Sequence, residues 1–98
     1  MNVRFLRPAR RELRDAAEFY GNVRPQLRRA FLKQVRAGIE MVEQFPTAWT
    51  KLSPTIRRYQ LKKFPYGLLY EIDDSTIIVI AVMHLSRHPD YWRNHLEE

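Results

Sequence analysis

The sequence IIVIAVM at residues 77–83, followed directly by HLSRHPDYW at residues 84–92, decides the fold of this chain. The seven apolar residues do not alternate with polar ones, so a strand built from them is covered on both faces and lies inside a sheet. Polar and aromatic groups just beyond a buried strand are held rigidly yet meet solvent. The sequence therefore predicts an interior strand with a candidate site at its end.

The second half of the chain contains three segments with strand character. Two tight connections, 64–67 and 73–75, join them, and connections this short favour an antiparallel meander. Residues Val3–Leu6 are also compatible with a strand, and they can pair with the open edge of the last strand. The three segments are Ile56–Lys63, Leu68–Ile72 and Thr76–Leu85.

The first half predicts two helices. Apolar residues recur at helical spacing from Pro8 to Tyr20, and Gly21-Asn22 is a stop signal. A longer helix follows Pro25 and continues to Phe45-Pro46, and the short connection favours an antiparallel helical hairpin. With a short closing helix over Pro89–Leu96, the expected fold is α+β: βααβββ, with the hairpin packed on a small, curved, mostly antiparallel sheet.

Composition limits the class of protein. With 98 residues, 45% of them hydrophobic and 12% aromatic, we expect a single globular domain over residues 1–98. The absence of cysteine excludes disulfides, thiolate metal sites and thiol nucleophiles, and fits a reducing compartment. The start shows no apolar run long enough for a signal peptide, and no apolar run could span a bilayer. We therefore expect a soluble, cytoplasmic protein without membrane association.

The chain is strongly basic, with 17 Lys and Arg against 11 Asp and Glu, a net charge of +6 and a pI near 10.1. Such a surplus favours a polyanionic partner, whether RNA, DNA or an acidic protein, although a charged surface also serves solubility. We expect no cofactor and no metal. His84, His88 and His95 have no cysteine beside them to complete a zinc site. With only three glycines, the chain also shows no Gly-rich phosphate-binding loop.

Four residues could form an RNA-cleaving site. Such a site needs a base, an acid and cations for the phosphoryl oxygens. His84 and Tyr91 could exchange protons, and Arg57 and Arg87 are expected to converge across the sheet and bind phosphate. The structural alternatives are an ion pair of Arg87 with Asp90 or Glu71, and a hydrogen-bonded His84 at the strand end.

Basic residues also mark two helical surfaces. On the second helix, Arg29, Lys33 and Arg36 recur at i, i+4 and i+7 beside Arg28. They could contact nucleic acid or an acidic partner, or form a solvated face with Arg36 paired to Glu40. A second arginine cluster, near the first strand, has the same alternatives. It consists of Arg4, Arg7, Arg10, Arg11 and Arg14.

The motif His84-x-x-Arg87-x-Pro89-x-Tyr91-Trp92 carries a family resemblance. Together with the preceding Arg57, Phe64-Pro65-Tyr66-Gly67 and Tyr70, it resembles the RelE/ParE superfamily of bacterial toxins from type II toxin-antitoxin systems. The resemblance implies the fold outlined above, a role in growth inhibition and plasmid stabilisation, and neutralisation by a cognate antitoxin in a hetero-oligomeric complex. The motif is most similar to the ParE-like branch, whose characterised members mostly act on DNA gyrase.

Three functions are consistent with this resemblance. In a non-enzymatic gyrase inhibitor, contacts with the target or antitoxin would come from Arg28, Arg29, Lys33, Arg36 and Trp92. In a RelE-type, metal-independent endoribonuclease acting on messenger RNA at the ribosome, Arg57, Arg87, His84 and Tyr91 would be catalytic. A binding module that has lost toxicity is the third. Tyr91 and Trp92 are adjacent on a short helix, so one is expected to pack while the other stays available.

Overall fold

The computed structural model describes residues 1–97, in which two helices pack on a five-stranded mixed sheet. This is the expected α+β fold. In chain order, the elements are β1 (Asn2–Phe5), α1 (Arg7–Val23), α2 (Pro25–Gln44), β2 (Thr50–Lys51), β3 (Ile56–Gln60), β4 (Tyr66–Asp73), β5 (Thr76–His84) and a 3-10 helix (Tyr91–Glu97).

The sheet has the strand order β1-β5-β4-β3-β2. The β3, β4 and β5 strands form the expected antiparallel meander, and β1 pairs in parallel with β5, so β5 is an interior strand as its apolar sequence predicts. The two-residue strand β2, which pairs with β3, was not predicted, because its residues Thr50 and Lys51 lie in a segment with loop character.

Two apolar clusters lie on opposite faces of the sheet. The hairpin of α1 and α2 covers one face, where Phe31 and Val35 of α2 pack with Leu68 and Val79 of the sheet. The 3-10 helix covers the other face, where Trp92 packs with a second set of residues. That set comprises Ile56, Leu69, Ile78, Ile80, Ala81 and Met83.

A β-bulge changes the side-chain alternation of β5. Leu69 pairs with Ala81 and Tyr70 pairs with Val79, so Ile80 has no partner on β4. As a result, the consecutive residues Ile80 and Ala81 both belong to the cluster under the 3-10 helix. On either side of the bulge, ordinary alternation directs successive apolar residues of β5 to the two clusters.

The predicted end of the first helix was wrong. The α1 helix continues through Gly21 to Val23, and Arg24 then adopts an extended conformation (φ −162°, ψ 137°). A residue before proline is disfavoured in the helical region, so Pro25 ends α1 where Gly21 does not. A different glycine has a packing role: a Cβ added to Gly38 would lie 2.9 Å from the Tyr59 ring, so only glycine lets α2 approach the sheet this closely.

Smaller differences occur at the strand ends. The β3 strand stops at Gln60 rather than Lys63, because a tight turn closes when the Leu61 N–H donates to the Tyr66 carbonyl over 2.9 Å. The expected closing helix is present, but it has 3-10 geometry. Within residues 1–97, neither long helix has the apolar length that crossing a membrane requires.

Candidate functional site

A cleft of about 260 Å³ lies where β5 ends, between the end of the sheet, α1 and the 3-10 helix. Three of the four predicted catalytic residues line it, namely His84, Arg87 and Tyr91. Tyr66 joins them from the start of β4, because it pairs directly with His84 across the two strands. We call this site the strand-end cleft. Its remaining lining residues are Glu12, Asp15, Ala16, Phe19 and Val82.

The exposed guanidinium of Arg87 stacks on an aromatic ring. Its Cζ atom lies 4.9 Å from the centroid of the Tyr91 ring, within cation–π range. The alternative ion pair with Asp90 does not form, because Asp90 accepts a 2.9 Å hydrogen bond from Arg93 Nε instead. Nor does Glu71 pair with Arg87, since Glu71 pairs with Ile78 far from the end of β5. Arg87 therefore presents its N–H donors to solvent at the cleft.

His84 is held by the turn that follows it. The backbone N–H of Ser86 donates to His84 Nδ1 over 3.1 Å, and the Ser86 Oγ lies 2.8 Å from the same nitrogen. Since Nδ1 accepts, the neutral imidazole carries its proton on Nε2. The ring also packs edge-on against Tyr66, with centroids 5.0 Å apart. In this arrangement His84 offers a hydrogen-bond donor to the cleft, not a base.

The floor of the cleft is a carboxylate that sequence reasoning missed. Glu12 Oε1 accepts the Val82 N–H over 3.0 Å, and Oε2 lies 3.0 Å from His95 Nε2. The side chain of Glu12 is 17% exposed and His95 is 7% exposed, so the pair is largely withdrawn from water. Glu12 thus joins α1, β5 and the 3-10 helix through one side chain.

A weak signal for Glu12 exists in the sequence. It lies three residues after Ala9 and four before Ala16, and both alanines are buried, so a carboxylate falls beside the apolar stripe of α1. His95 similarly follows the buried Trp92 by three residues. Neither pattern identifies the partner, because the two residues are 83 positions apart.

The two tyrosines of the cleft hold their protons. Burial raises the pKa of Tyr91, and the charge of Glu12 and a hydrogen bond to it raise that pKa further, against smaller opposing effects of Arg87 and Arg11. Burial likewise raises the pKa of Tyr66. Both phenols are therefore neutral at physiological pH. The cleft therefore combines hydrogen-bond donors with two carboxylates, the shielded Glu12 and the exposed Asp15.

The expected convergence of Arg57 with Arg87 is wrong. Arg57 pairs with Tyr70, which pairs with Val79, so Arg57 lies level with the middle of β5 while Arg87 follows its end. The five residue steps from Val79 to His84 alone span about 16 Å of strand. The Arg57 guanidinium instead donates to the Trp49 carbonyl over 2.8 Å and anchors the loop after α2.

The basic residues predicted on α2 are exposed, which leaves their contact role a prediction. No ion pair joins Arg36 to Glu40 in the described part of the chain. Trp92, by contrast, was assigned to a contact surface and is only 2% exposed, so its side chain packs in the core under the sheet. Tyr91 is the one of the two that reaches the surface. The exposed α2 residues are Arg28, Arg29, Lys33 and Arg36.

No metal-binding group is formed by His, Asp and Glu side chains within residues 1–97. His84 and His95 have the separate partners described above. His88 is exposed, and its Nδ1 accepts the Asp90 N–H over 3.1 Å. Each of the three histidines that could suggest a zinc site therefore has a separate hydrogen-bond partner.

Comparisons with known proteins give one family match and one similar fold. The model of the ParE toxin of the type II toxin-antitoxin system parDE matches residues 3–89. A solved structure of the chromosomal ParDE toxin-antitoxin system from P. aeruginosa is similar in fold, with a TM-score of 0.62 and 17% sequence identity over 86% of this chain and 95% of that chain. A search of curated protein sequences finds no match.

Proposed function

The chain belongs to the ParE toxin family of type II toxin-antitoxin systems, and from this membership we propose that it inhibits DNA gyrase until a cognate antitoxin neutralises it. Residues 1–98 would act as one toxin domain in the cytoplasm. The sequence resembles the ParE-like branch, whose characterised members mostly act on DNA gyrase, and we propose the same target for this chain. We further propose that the strand-end cleft is the surface that contacts gyrase.

The observation that carries the proposal is the chemical character of the cleft. Arg87 and His84 Nε2 present hydrogen-bond donors beside the neutral phenol of Tyr66, while the carboxylate of Glu12 is already engaged by Val82 and His95. A set of donors held by half-buried aromatic rings suits recognition of acceptor groups on another macromolecule. This arrangement therefore favours binding of another macromolecule over proton transfer.

The ribosome-dependent endoribonuclease is the second candidate, and one observation favours it. His84, Arg87 and Tyr91 do share one cleft, so a phosphate could meet a guanidinium and two proton-bearing groups together. Two features oppose it. Arg57 lies far along the sheet, and His84 would have to give up its bond from Ser86 or change tautomer before it could accept a proton at Nε2.

Two parallel assays separate these functions: supercoiling of plasmid DNA by gyrase, and cleavage of messenger RNA on translating ribosomes. We expect the purified toxin to inhibit supercoiling and to leave the RNA intact. Arg87→Gln should weaken inhibition about tenfold or more, the loss typical of an interface anchor. Arg93→Gln is the matched control, because Arg93 is also exposed and also stacks on an aromatic ring, that of Trp92, at 4.6 Å.

The outcomes are distinct. Periodic cuts in the RNA with unaffected gyrase would replace our proposal with the ribonuclease function. Inactivity in both assays would indicate a binding module without toxicity. Equal losses from Arg87→Gln and Arg93→Gln would remove the strand-end cleft from the contact surface, even if gyrase is the target.

The antitoxin partner is tested separately by co-expression with the neighbouring gene of the operon. We expect a stable complex in which the exposed basic residues of α2 and the exposed apolar Phe19 and Val23 of α1 become protected from solvent. Hydrogen exchange and gel filtration report this directly. A toxin that stays monomeric and unprotected beside its operon neighbour would contradict the proposal.

A further inference from the structure

Three shallow depressions follow one another along α1, and neighbouring depressions share arginines. The first, of about 780 Å³, shares Arg4 and Arg10 with the second, of about 590 Å³. The second shares Arg14 and Arg28 with the third, of about 440 Å³. The shared residues make one continuous cationic surface, which we call the arginine track. Its members are Arg4, Arg7, Arg10, Arg14, Arg28 and Arg29. Arg11 also lines the first depression, but its charge acts on Tyr91 of the strand-end cleft and it is not counted in the track.

The track is a consequence of helical spacing. Arg7, Arg10 and Arg14 recur at i, i+3 and i+7, so they lie on one face of α1. Arg4 adds a guanidinium from β1, and the start of α2 supplies Arg28 and Arg29. From Arg7 to Gly21, which lines the third depression, α1 rises about 21 Å. The cations are therefore spread along a line rather than gathered at a point.

Most of this charge is uncompensated by the protein. Within residues 1–97, Arg4, Arg7 and Arg10 form no ion pair. Acidic residues near the track are Asp15, 3.9 Å from Arg14, and Glu18, which lines the third depression. The first turn of α1 has no acidic residue, so its arginines repel one another and oppose the helix dipole. A polyanion would relieve both effects.

The distribution of the arginines favours a nucleic acid over an acidic peptide. Val3, Phe5 and Leu13 give the middle depression an apolar floor, where one peptide segment could lie. Such a segment would meet the shared arginines but not Arg7 or Arg29, which line only the first and the third depression. A duplex carries one phosphate per about 1.7 Å of axis over its two strands, and about half of those along this length, roughly six, lie on the side that faces the protein. The track has six arginines.

We propose that the arginine track binds the phosphate backbone of a nucleic-acid duplex, without sequence preference and without help from the toxin's target. Planar guanidinium groups bind phosphate oxygens through paired hydrogen bonds, which suits a track made of arginine alone. The surface is distinct from the strand-end cleft, since the two share no lining residue.

The test is fluorescence anisotropy of the full chain with labelled DNA and RNA duplexes of the same sequence, over a range of salt concentrations. For six contacts with DNA, the logarithm of the affinity should fall against the logarithm of salt with a slope of about −5. Replacing Arg4, Arg7 and Arg10 by Gln should reduce the magnitude of that slope by about 3. Binding to one duplex only would tell whether DNA or RNA is the source of the phosphates.

A matched control removes three charges elsewhere, through Lys51→Gln, Lys62→Gln and Lys63→Gln, all at exposed positions outside the three depressions. We expect a slope within about 1 of the original. Equal losses in the two triple variants would show diffuse attraction and overturn the proposal. Absence of duplex binding would also overturn the proposal, whether or not a glutamate-rich peptide binds in the same assay. Single replacements of Arg4, Arg7 or Arg10, each expected to change the slope by about 0.9, apply if the triple variant does not fold.

Discussion

Removing the Glu12 carboxylate is the sharpest test of how the chain holds its C-terminal segment. In Glu12→Ala, the Val82 N–H and His95 Nε2 lose acceptors that now lie 3.0 Å away. A buried polar group left without a partner costs about 1–3 kcal/mol, so two such groups should lower the free energy of unfolding by about 2–6 kcal/mol. That is a large part of the total stability of about 5–10 kcal/mol expected for a small protein.

The measurement is urea denaturation of wild-type protein, Glu12→Ala, Glu12→Gln and Glu18→Ala. Glu12→Gln keeps one oxygen for the Val82 N–H, so its loss should be about half that of Glu12→Ala. Glu18 is an exposed glutamate on the same helix, and Glu18→Ala should change stability by less than about 0.5 kcal/mol. This control removes an equal charge from α1 without disturbing the cleft.

A double-mutant cycle shows whether the effect passes through His95. Glu12→Ala and His95→Ala together should cost about 1–2 kcal/mol less than the sum of the single losses, since each already breaks the same contact. Hydrogen exchange should report lost protection at the Val82 amide in Glu12→Ala. The reasoning fails if Glu12→Ala costs under about 0.5 kcal/mol, or if the losses from Glu12 and His95 simply add.

Three further predictions concern the core. Gly38→Ala should destabilise the protein by about 1–3 kcal/mol in thermal unfolding, despite better helix propensity, because the new methyl would overlap the sheet. Trp92→Ala should cost about 3–5 kcal/mol, whereas Leu96→Ala, at a half-exposed position of the same 3-10 helix, should cost little. Burial raises the pKa of Tyr70 from 10.0 to about 12, so the folded chain keeps a proton that the unfolded chain releases. Stability should therefore fall by up to about 3 kcal/mol as the pH rises from 10 to 12, and Tyr70→Phe should lack this loss.

The general arrangement of the fold could be predicted because it depends on local pattern. The unbroken apolar run of residues 77–83 predicts an interior strand, and β5 is one. Helical spacing likewise predicts the hairpin of α1 and α2. The helix end was misplaced because two local signals compete there. Glycine at position 21 is tolerated inside a helix, whereas proline at position 25 constrains Arg24 to extended geometry.

The strand-end cleft was predictable only in part. His84, Arg87 and Tyr91 come together because they follow one strand within eight residues. Glu12 and His95 meet across 83 positions, and no local periodicity encodes a contact of that kind. The adjacency of Tyr91 and Trp92 predicted that one packs and one is available, and burial assigns packing to Trp92. The sequence therefore predicts the residues near the end of β5, whereas the contact between Glu12 and His95 depends on tertiary packing.

Strand direction explains why Arg57 cannot belong to the cleft. In an antiparallel meander, two strands separated by a third run the same way, so the start of β3 lies away from the end of β5, and Arg57 is level with Val79. Residues that meet the end of β5 must come from the end of β3, the start of β4 or a covering helix, as Tyr66 and Glu12 do.

Arg57 instead anchors the segment that follows α2. Its guanidinium holds the Trp49 carbonyl at 2.8 Å, and the Tyr70 hydroxyl donates to the Pro46 carbonyl over 2.6 Å. Two paired residues of β3 and β4 thus fix both ends of the segment 46–49, which leads from α2 into β2. Because this anchor lies away from the strand-end cleft, replacing Arg57 should loosen the segment 46–49 and leave the cleft intact. Any chemistry at the cleft must therefore arise without a second arginine from the sheet.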